Sequence, residues 1–147
     1  MTGWRLGYLS GPESVIKAAS ALQSQSTSNV CSFDQQGAIA ALTAPRDRAQ
    51  TMAESYTRRR SFLVAGLQAM SGITLVPPQG AFYAFPQLPE GCGDSMSFCR
   101  RSLEDEGLAI VPGAAFGDDR CVRLSCAVSR ETITDGLARL ARLLAVN

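Results

Sequence analysis

Apolar positions recur at helical spacing in the first third of the chain. Residues 6–9 are predicted to form a short strand, which ends before a helix that begins at Pro12. A polar run over 23–29 predicts a loop, and the capping-box spacing of Ser32 and Gln35 predicts a second short helix. One strand and two helices are therefore expected in this part of the sequence.

A single long helix is predicted over 45–70, where apolar side chains fall on one face and Gly72 is placed to end it. At about 1.5 Å per residue, about 26 residues would span roughly 39 Å. That length exceeds what a small domain needs, so the helix is expected to join two domains. Three consecutive arginines at 58–60 favour a solvated helix face over an anion-binding patch, because consecutive helical residues point in different directions.

The second half of the chain changes to short strands and turns with helices between them. Strands are predicted over 73–76, 81–85, 108–111 and 121–128, and helices over 95–107 and after Ser129. This pattern predicts a small α+β unit in which helices lie against one side of the strands.

The strand predicted over 121–128 has the clearest alternation of apolar and polar positions. One face is wholly apolar and consists of Val122, Leu124, Cys126 and Val128. The other face combines Arg123 and Ser125 with Cys121 and Ala127. An arginine opposite a fully apolar face has to point toward solvent or a cleft, so Arg123 is a candidate for binding chemistry.

Composition excludes several classes of function. With 147 residues and 46% hydrophobic content, the chain can bury a core of ordinary size. Its 14 basic and 13 acidic side chains nearly cancel, so no nucleic acid or membrane partner is expected. No apolar run approaches the length of a membrane span and the N-terminus lacks the order of a secretion signal, so a cytoplasmic location is predicted. Histidine is absent, which excludes Ser-His and Cys-His nucleophiles, and no metal site is expected. The five cysteines lack Cys-x-x-Cys spacing and are expected to be reduced and mostly buried.

The first eight residues, Met-Thr-Gly-Trp-Arg-Leu-Gly-Tyr, combine features of an anion-binding segment. Arg5 supplies a permanent planar cation beside two aromatic side chains, Trp4 and Tyr8. Gly3 and Gly7 permit close approach of the backbone to a ligand. An ordinary half-buried strand with one surface arginine is the alternative.

Met-Thr-Gly-Trp-Arg-x-Gly-Tyr resembles the segment that follows the cofactor-bearing lysine in class I and II aminotransferases. These are fold-type I enzymes that use pyridoxal 5′-phosphate, and the likeness is greatest to aspartate aminotransferase-like members. The resemblance implies that Arg5 holds the cofactor phosphate. In the family pattern the Schiff-base lysine lies just ahead of the methionine, so no catalytic residue is assigned in this chain. The sequence resembles the C-terminal two-fifths of such an enzyme.

The resemblance also implies an architecture that runs from α/β to α+β. Residues 1–44 would be the tail of the large cofactor-binding domain, 45–70 the long inter-domain helix, and 71–147 the small C-terminal domain. Full-length members are expected to be homodimers. A shortened chain is expected to expose apolar surface and to self-associate.

Two further segments match the family. Val-Arg-Leu-Ser-Cys-Ala resembles its Arg-Leu-Ser-x-Ala segment, which implies that Arg123 grips the α-carboxylate of the substrate through two parallel hydrogen bonds. Phe82, in Gly-Ala-Phe-Tyr, matches a position on the substrate side of the pocket. A surface charge for Arg123 and a core ring for Phe82 are the alternatives. The fold is expected to bring Arg5 and Arg123 to one shared cavity.

The implied activity is pyridoxal-phosphate-dependent transfer of an amino group between an amino acid and a 2-oxo acid, with the amino donor unspecified. Lys17, the only lysine, lies well past the opening motif and is not expected to replace the missing one. The chain alone is therefore expected to be inactive and to bind the cofactor weakly or not at all. A non-catalytic ligand-sensing or partner-binding module, and another fold-type I enzyme such as a lyase, stay open as alternatives.

Overall fold

The computed structural model describes residues 1–145, apart from the side chain of Thr2. The chain divides after Asp47 into two units, the first being Met1–Asp47 and the second beginning at Arg48. Within the described range, no helix has the length and apolar character needed to cross a membrane.

The first unit contains a 3-10 turn, Thr2–Trp4, and two helices, α1 (Glu13–Ser26) and α2 (Ser32–Thr43). Both helices confirm the sequence prediction. The predicted strand over 6–9 is wrong, because these residues are irregular and pair with no other strand among the described residues.

Two local predictions in the first unit are also wrong. Helix α1 continues through the polar run to Ser26, whose hydroxyl donates back to the Leu22 carbonyl at 3.0 Å, so the polar side chain is satisfied within the helix. Helix α2 begins at Ser32 without the capping box, since its N-cap is Cys31 and no cap side chain bonds there. Gln35 Nε2 instead donates to the Val30 carbonyl at 2.8 Å.

Neither α1 nor α2 buries any residue. Large apolar side chains of this unit are exposed, among them Tyr8 at 88%, Leu42 at 74%, Leu22 at 73% and Phe33 at 69% of their surface. The first unit therefore presents apolar surface without a buried core in the part of the chain that the structure describes.

The predicted long helix is present as α3 (Asp47–Gln68), which has 22 residues. From Arg48 onward it belongs to the second unit. Leu63 and Leu67, one turn apart, are its buried residues, so the C-terminal third of α3 is anchored in the core. After the helix, Gly72 adopts a φ of 80°, a left-handed conformation that favours glycine.

Three short strands form one antiparallel sheet in the order β1-β3-β2. They are β1 (Tyr83–Ala84), β2 (Val111–Pro112) and β3 (Val122–Ser125). The predicted strands are thus present but shorter, except that 73–76 is wrong and contributes only a bridge between Thr74 and Gln87. Prolines 77, 78, 86, 89 and 112 limit the ladders because proline donates no backbone hydrogen bond.

Helices α4 (Ser95–Glu106) and α5 (Arg130–Ala145) match the predicted positions. The N-cap of α4 is Asp94, whose carboxylate accepts from Ser97 N–H at 2.8 Å, and this bond lowers the pKa of Asp94. Ser129 caps α5 as predicted, because its hydroxyl accepts from Thr132 N–H at 3.2 Å.

The core lies on the apolar face of the sheet, as the alternation in 121–128 predicts. Its buried residues come from the strands, from helices α3, α4 and α5, and from the loops between them: Leu63, Leu67, Ala84, Leu88, Cys92, Phe98, Cys99, Val122, Leu124, Cys126, Ile133, Leu140 and Leu143. Val128 is 38% exposed and Cys121 is buried, both contrary to prediction, because β3 ends at Ser125 and begins after Cys121. The polar face carries Arg123.

We expect Gly113→Ala to lower the free energy of unfolding by about 2 kcal/mol, since overpacking a tight site typically costs 1–3 kcal/mol. Gly113 begins a second 3-10 turn, Gly113–Phe116, hereafter the 113–116 turn, and an added Cβ would clash with the carbonyl oxygens of Asp118 and Cys121. Gly80→Ala is the matched control, because a Cβ there meets nothing within 4 Å. Urea denaturation measures both variants, and equal midpoints would contradict the expectation.

We expect one thiol of the native chain to react quickly with a disulfide reagent such as DTNB. No disulfide joins the five cysteines, all of which lie in the described residues, and Cys31 is exposed while the other four are buried, which confirms the prediction of reduced, mostly buried thiols. Burial raises the pKa of each buried thiol, that of Cys99 to about 11, and so lowers the reactive thiolate fraction. Cys31→Ser should remove the fast phase, and a second fast thiol in the native chain would refute the assignment.

Candidate functional site

Arg123 lies on β3, the middle strand, on the face of the sheet opposite the core. Its guanidinium carbon, Cζ, is 4.3 Å from the ring centroid of Tyr83 and 4.3 Å from that of Phe116. Both distances are within the range of a cation–π interaction. The half-buried cation is therefore held by aromatic contacts.

No carboxylate forms an ion pair with Arg123 in residues 1–145. Arg120, three residues earlier, is paired through two hydrogen bonds with Asp118, from Nε to Oδ1 at 2.9 Å and from Nη2 to Oδ2 at 2.7 Å. The hydrogen bonds from Arg120 lower the pKa of Asp118 to about 2. Arg123 has the same N–H donors and can donate two parallel hydrogen bonds to a carboxylate of a ligand.

Phe82 contacts Tyr83, one of the two aromatic side chains next to Arg123. Its ring centroid is 4.4 Å from that of Tyr83 and 5.9 Å from that of Tyr56, and its carbonyl accepts from Cys126 N–H at 2.8 Å. Phe82 precedes β1, which begins only at Tyr83, so the strand predicted over 81–85 is shorter at this end. Ala81, with a φ of 56°, turns the backbone just before Phe82.

Arg5 lies in the first unit at the end of the Thr2–Trp4 turn. It is exposed and has a φ of 51°, a left-handed conformation that is uncommon for a residue with a side chain and is found often at ligand sites. Together with Gly3, Trp4, Phe33 and Asp34, it lines an open cleft of about 600 Å³.

The cleft at Arg5 is large enough for an anionic group, and the Arg5 guanidinium supplies a positive charge there. Arg5 forms no ion pair with a carboxylate in the part of the chain described, although Asp34 lines the same cleft. Lys17 is exposed and paired with Glu13 at 2.6 Å on α1. The described residues also contain no cluster of His, Cys, Asp and Glu that could hold a metal ion.

Arg5 and Arg123 belong to different units of the chain. The hypothesis that they serve one shared cavity therefore stays a prediction, as do the individual roles expected for Arg5, Arg123 and Phe82. Tyr83 and Phe116 were missed as contacts of Arg123. Two signals in the sequence pointed to them, an aromatic next to Phe82 in a predicted strand and a phenylalanine before Gly117 in a turn.

Comparison with known proteins places this geometry in a family. The family model for aminotransferase class I and II matches residues 1–140. The chain is 43% identical over 157 aligned residues to an aspartate aminotransferase of Pinus pinaster, covering 98% of this chain and 32% of that protein. It is 42% identical to the aspartate aminotransferase of Bacillus subtilis, covering 98% of this chain and 38% of that protein.

The fold is matched as well. The structure of the Thermus thermophilus aspartate aminotransferase with maleate superimposes with a TM-score of 0.86 at 41% identity, over 98% of this chain and 38% of that one. The chain thus spans about a third to two-fifths of the length of these relatives and has their α/β aminotransferase fold. These 147 residues belong to the class I and II aminotransferase family.

Proposed function

We propose that this chain supplies the substrate-carboxylate and cofactor-phosphate arginines of a pyridoxal-phosphate-dependent aminotransferase, which transfers an amino group between an amino acid and a 2-oxo acid. The observation that carries the proposal is Arg123, a half-buried cation stacked on two rings and without a carboxylate partner in the described residues. Support comes from the Thermus thermophilus relative, whose structure was determined with maleate, a dicarboxylate.

Arg123 acts by binding and orientation. Two parallel charge-assisted hydrogen bonds fix both the position and the plane of the substrate α-carboxylate. The α-hydrogen is then presented in one direction, toward the base that removes it. Phe82 contributes an apolar wall through its contact with Tyr83.

The residues at Arg5 fit the phosphate end of pyridoxal phosphate, because a cation without an ion pair in the described chain lines an open cleft there. When bound, the cofactor supplies the electron sink that stabilises negative charge at the substrate α-carbon. No residue of the cleft fits the reactive end of the cofactor. Lys17, the only lysine, is exposed on α1 and does not line this cleft, so we infer that these 147 residues do not supply the cofactor-bearing lysine.

The exposed apolar side chains of the first unit support the proposed domain assignment. Residues 1–44 would be the tail of the large cofactor-binding domain. The rest of that domain would then cover the side chains of Tyr8, Leu22 and Leu42. Residues 45–70 would be the inter-domain helix and 71–147 the small domain. We propose that the complete protein is a homodimer.

We expect the 147-residue chain alone to neither transaminate nor hold the cofactor. After incubation with pyridoxal phosphate and desalting, it should retain no yellow absorbance, and aspartate with 2-oxoglutarate should show no turnover. The Bacillus subtilis aspartate aminotransferase, treated identically, is the positive control. Retained absorbance together with turnover would show that the chain carries its own cofactor-binding lysine.

A chimera is made in which this chain replaces the matching 38% of the Bacillus subtilis enzyme. In this chimera we expect Arg123→Leu to lower kcat/KM for aspartate about 100-fold. Removing the hydrogen bonds to a charged group should cost about 3 kcal/mol, and 1.4 kcal/mol corresponds to tenfold in rate. Arg120→Leu is the matched control, because Arg120 is already paired with Asp118.

Steady-state kinetics and substrate binding together decide between the candidate functions. Equal kcat/KM values for Arg123→Leu and Arg120→Leu would show that Arg123 does not bind the substrate. A chimera that binds aspartate through Arg123 without any turnover would favour the ligand-sensing module instead.

A further inference from the structure

Arg123 is held by two aromatic side chains, Tyr83 and Phe116, here termed the aromatic clamp. We propose that the aromatic clamp makes the Arg123 site selective for planar carboxylates that approach the edge of the guanidinium, and that it rejects tetrahedral oxyanions of the same charge. The inference rests on the proposed function and deepens it, because it names the residues that decide which anions the site accepts.

The two rings come from the two strands that flank β3. Tyr83 on β1 is directly opposite Ser125, so it is the diagonal neighbour of Arg123, within reach for aromatic and long side chains. On the other side, Val111 of β2 is directly opposite Arg123, and β2 leads into the turn that carries Phe116. The rings therefore reach the guanidinium from opposite flanks of the middle strand.

Phe116 is held in place by a hydrogen-bond chain behind the 113–116 turn. Ala114 N–H donates to Ser95 Oγ at 3.2 Å, and the Ser95 hydroxyl donates to Asp119 Oδ1 at 2.6 Å. Ser95 is fully buried while Ala114 and Asp119 are at the surface, so this bridge ties the exposed turn to the interior of the second unit. The turn also packs so tightly at Gly113 that only glycine fits there.

Other rings support the aromatic clamp from outside. Phe82 contacts Tyr83 at 4.4 Å between centroids, and Phe85 meets Phe116 edge-on at 6.1 Å with an interplanar angle of 87°. The edge-on pair of Phe85 and Phe116 is a favourable aromatic geometry, and Phe82 is in close contact with Tyr83 at an interplanar angle of 45°. The clamp rings are therefore backed by neighbours that restrict their movement.

The consequence for ligands follows from the shape of the guanidinium. All five N–H donors of arginine lie in one plane and point outward from its edge. A carboxylate places both its oxygens in that plane and leaves nothing above or below it. A phosphonate that places two oxygens in the plane directs another toward a ring face, which carries negative charge density and cannot donate a hydrogen bond.

Loss of water adds to the same preference. Two ring centroids at 4.3 Å from the guanidinium carbon exclude water from the parts of the cation that the rings cover, and this water would otherwise solvate the out-of-plane oxygen of a tetrahedral anion. A polar group that is buried without a partner is costly. Only the open edge of Arg123 stays available, and a planar ligand satisfies it completely.

The test uses the 147-residue chain and does not need cofactor. The Nε–Hε resonance of Arg123 is assigned in ¹H–¹⁵N spectra by its loss in Arg123→Lys, and ring currents should shift it upfield. Acetate and methylphosphonate are titrated at constant ionic strength, at a pH where each carries one negative charge. Acetate should move the resonance at a concentration at least ~10-fold lower than methylphosphonate does, which corresponds to a difference in binding free energy of about 1.4 kcal/mol.

Variants separate the aromatic clamp from a general effect on folding. Tyr83→Leu and Phe116→Leu should each lose part of the upfield shift and reduce the preference for acetate to about twofold, which corresponds to about 0.4 kcal/mol. Phe62→Leu is the matched control, since it removes a ring that stacks on a different arginine, with Arg130 Cζ at 4.5 Å. Tyr83→Phe keeps the ring and should keep the preference, so a fold defect in one leucine variant does not decide the result.

Three outcomes overturn the inference: equal titration by the two anions in the native chain, a preference that survives in both leucine variants, or no response of Arg123 to acetate. The proposed function is tested separately by turnover of the chimera. If the chimera transaminates while the two anions titrate Arg123 equally, the selectivity assigned to the aromatic clamp is refuted and the aminotransferase proposal stands.

Discussion

A cation on the middle strand of a sheet has to be solvated, paired or stacked, and in this chain Arg123 is stacked. The strand order β1-β3-β2 makes this possible, because both neighbours of β3 bring an aromatic ring to the same guanidinium. The opposite face of the same strand is buried, with Val122 fully inside the core. One four-residue strand thus anchors the second unit on one side and presents Arg123 on the other.

The two units differ in how their apolar surface is used. The second unit buries leucines of α3 and α5 together with the inner face of the sheet, as an independently stable domain requires. The helices of the first unit bury nothing and expose Leu22 and Leu42. The chain spans 38% of the length of the Bacillus subtilis relative, and the contrast between the two units is consistent with the domain assignment proposed above.

Sequence reasoning located the helices because their signals are local. Apolar spacing and the cap at Ser129 act within a few residues and gave α3 and α5 nearly their observed bounds. Strand lengths were overestimated because a ladder depends on a partner strand that the local pattern does not contain. The strand predicted over 6–9 failed for the same reason.

The candidate site was predictable in part. The alternation in 121–128 placed Arg123 opposite a buried face, and the structure has it there. Phe116 could not be assigned to Arg123 by spacing alone, because contact between them depends on the register of β2 with β3 and on the fold of the turn. Side chains that meet across strands are set by tertiary pairing, which no single window of sequence records.

Ser95 has a wider significance than its size suggests. Its buried hydroxyl joins the first turn of α4 to the loop that carries Phe116, although Ser95 itself is in a different part of the chain from Arg123. Replacement of this serine by alanine would leave Arg123, Tyr83 and Phe116 unchanged and still remove the hydrogen bond that joins the 113–116 turn to α4. A comparison restricted to the residues around Arg123 would overlook a change at this helix terminus.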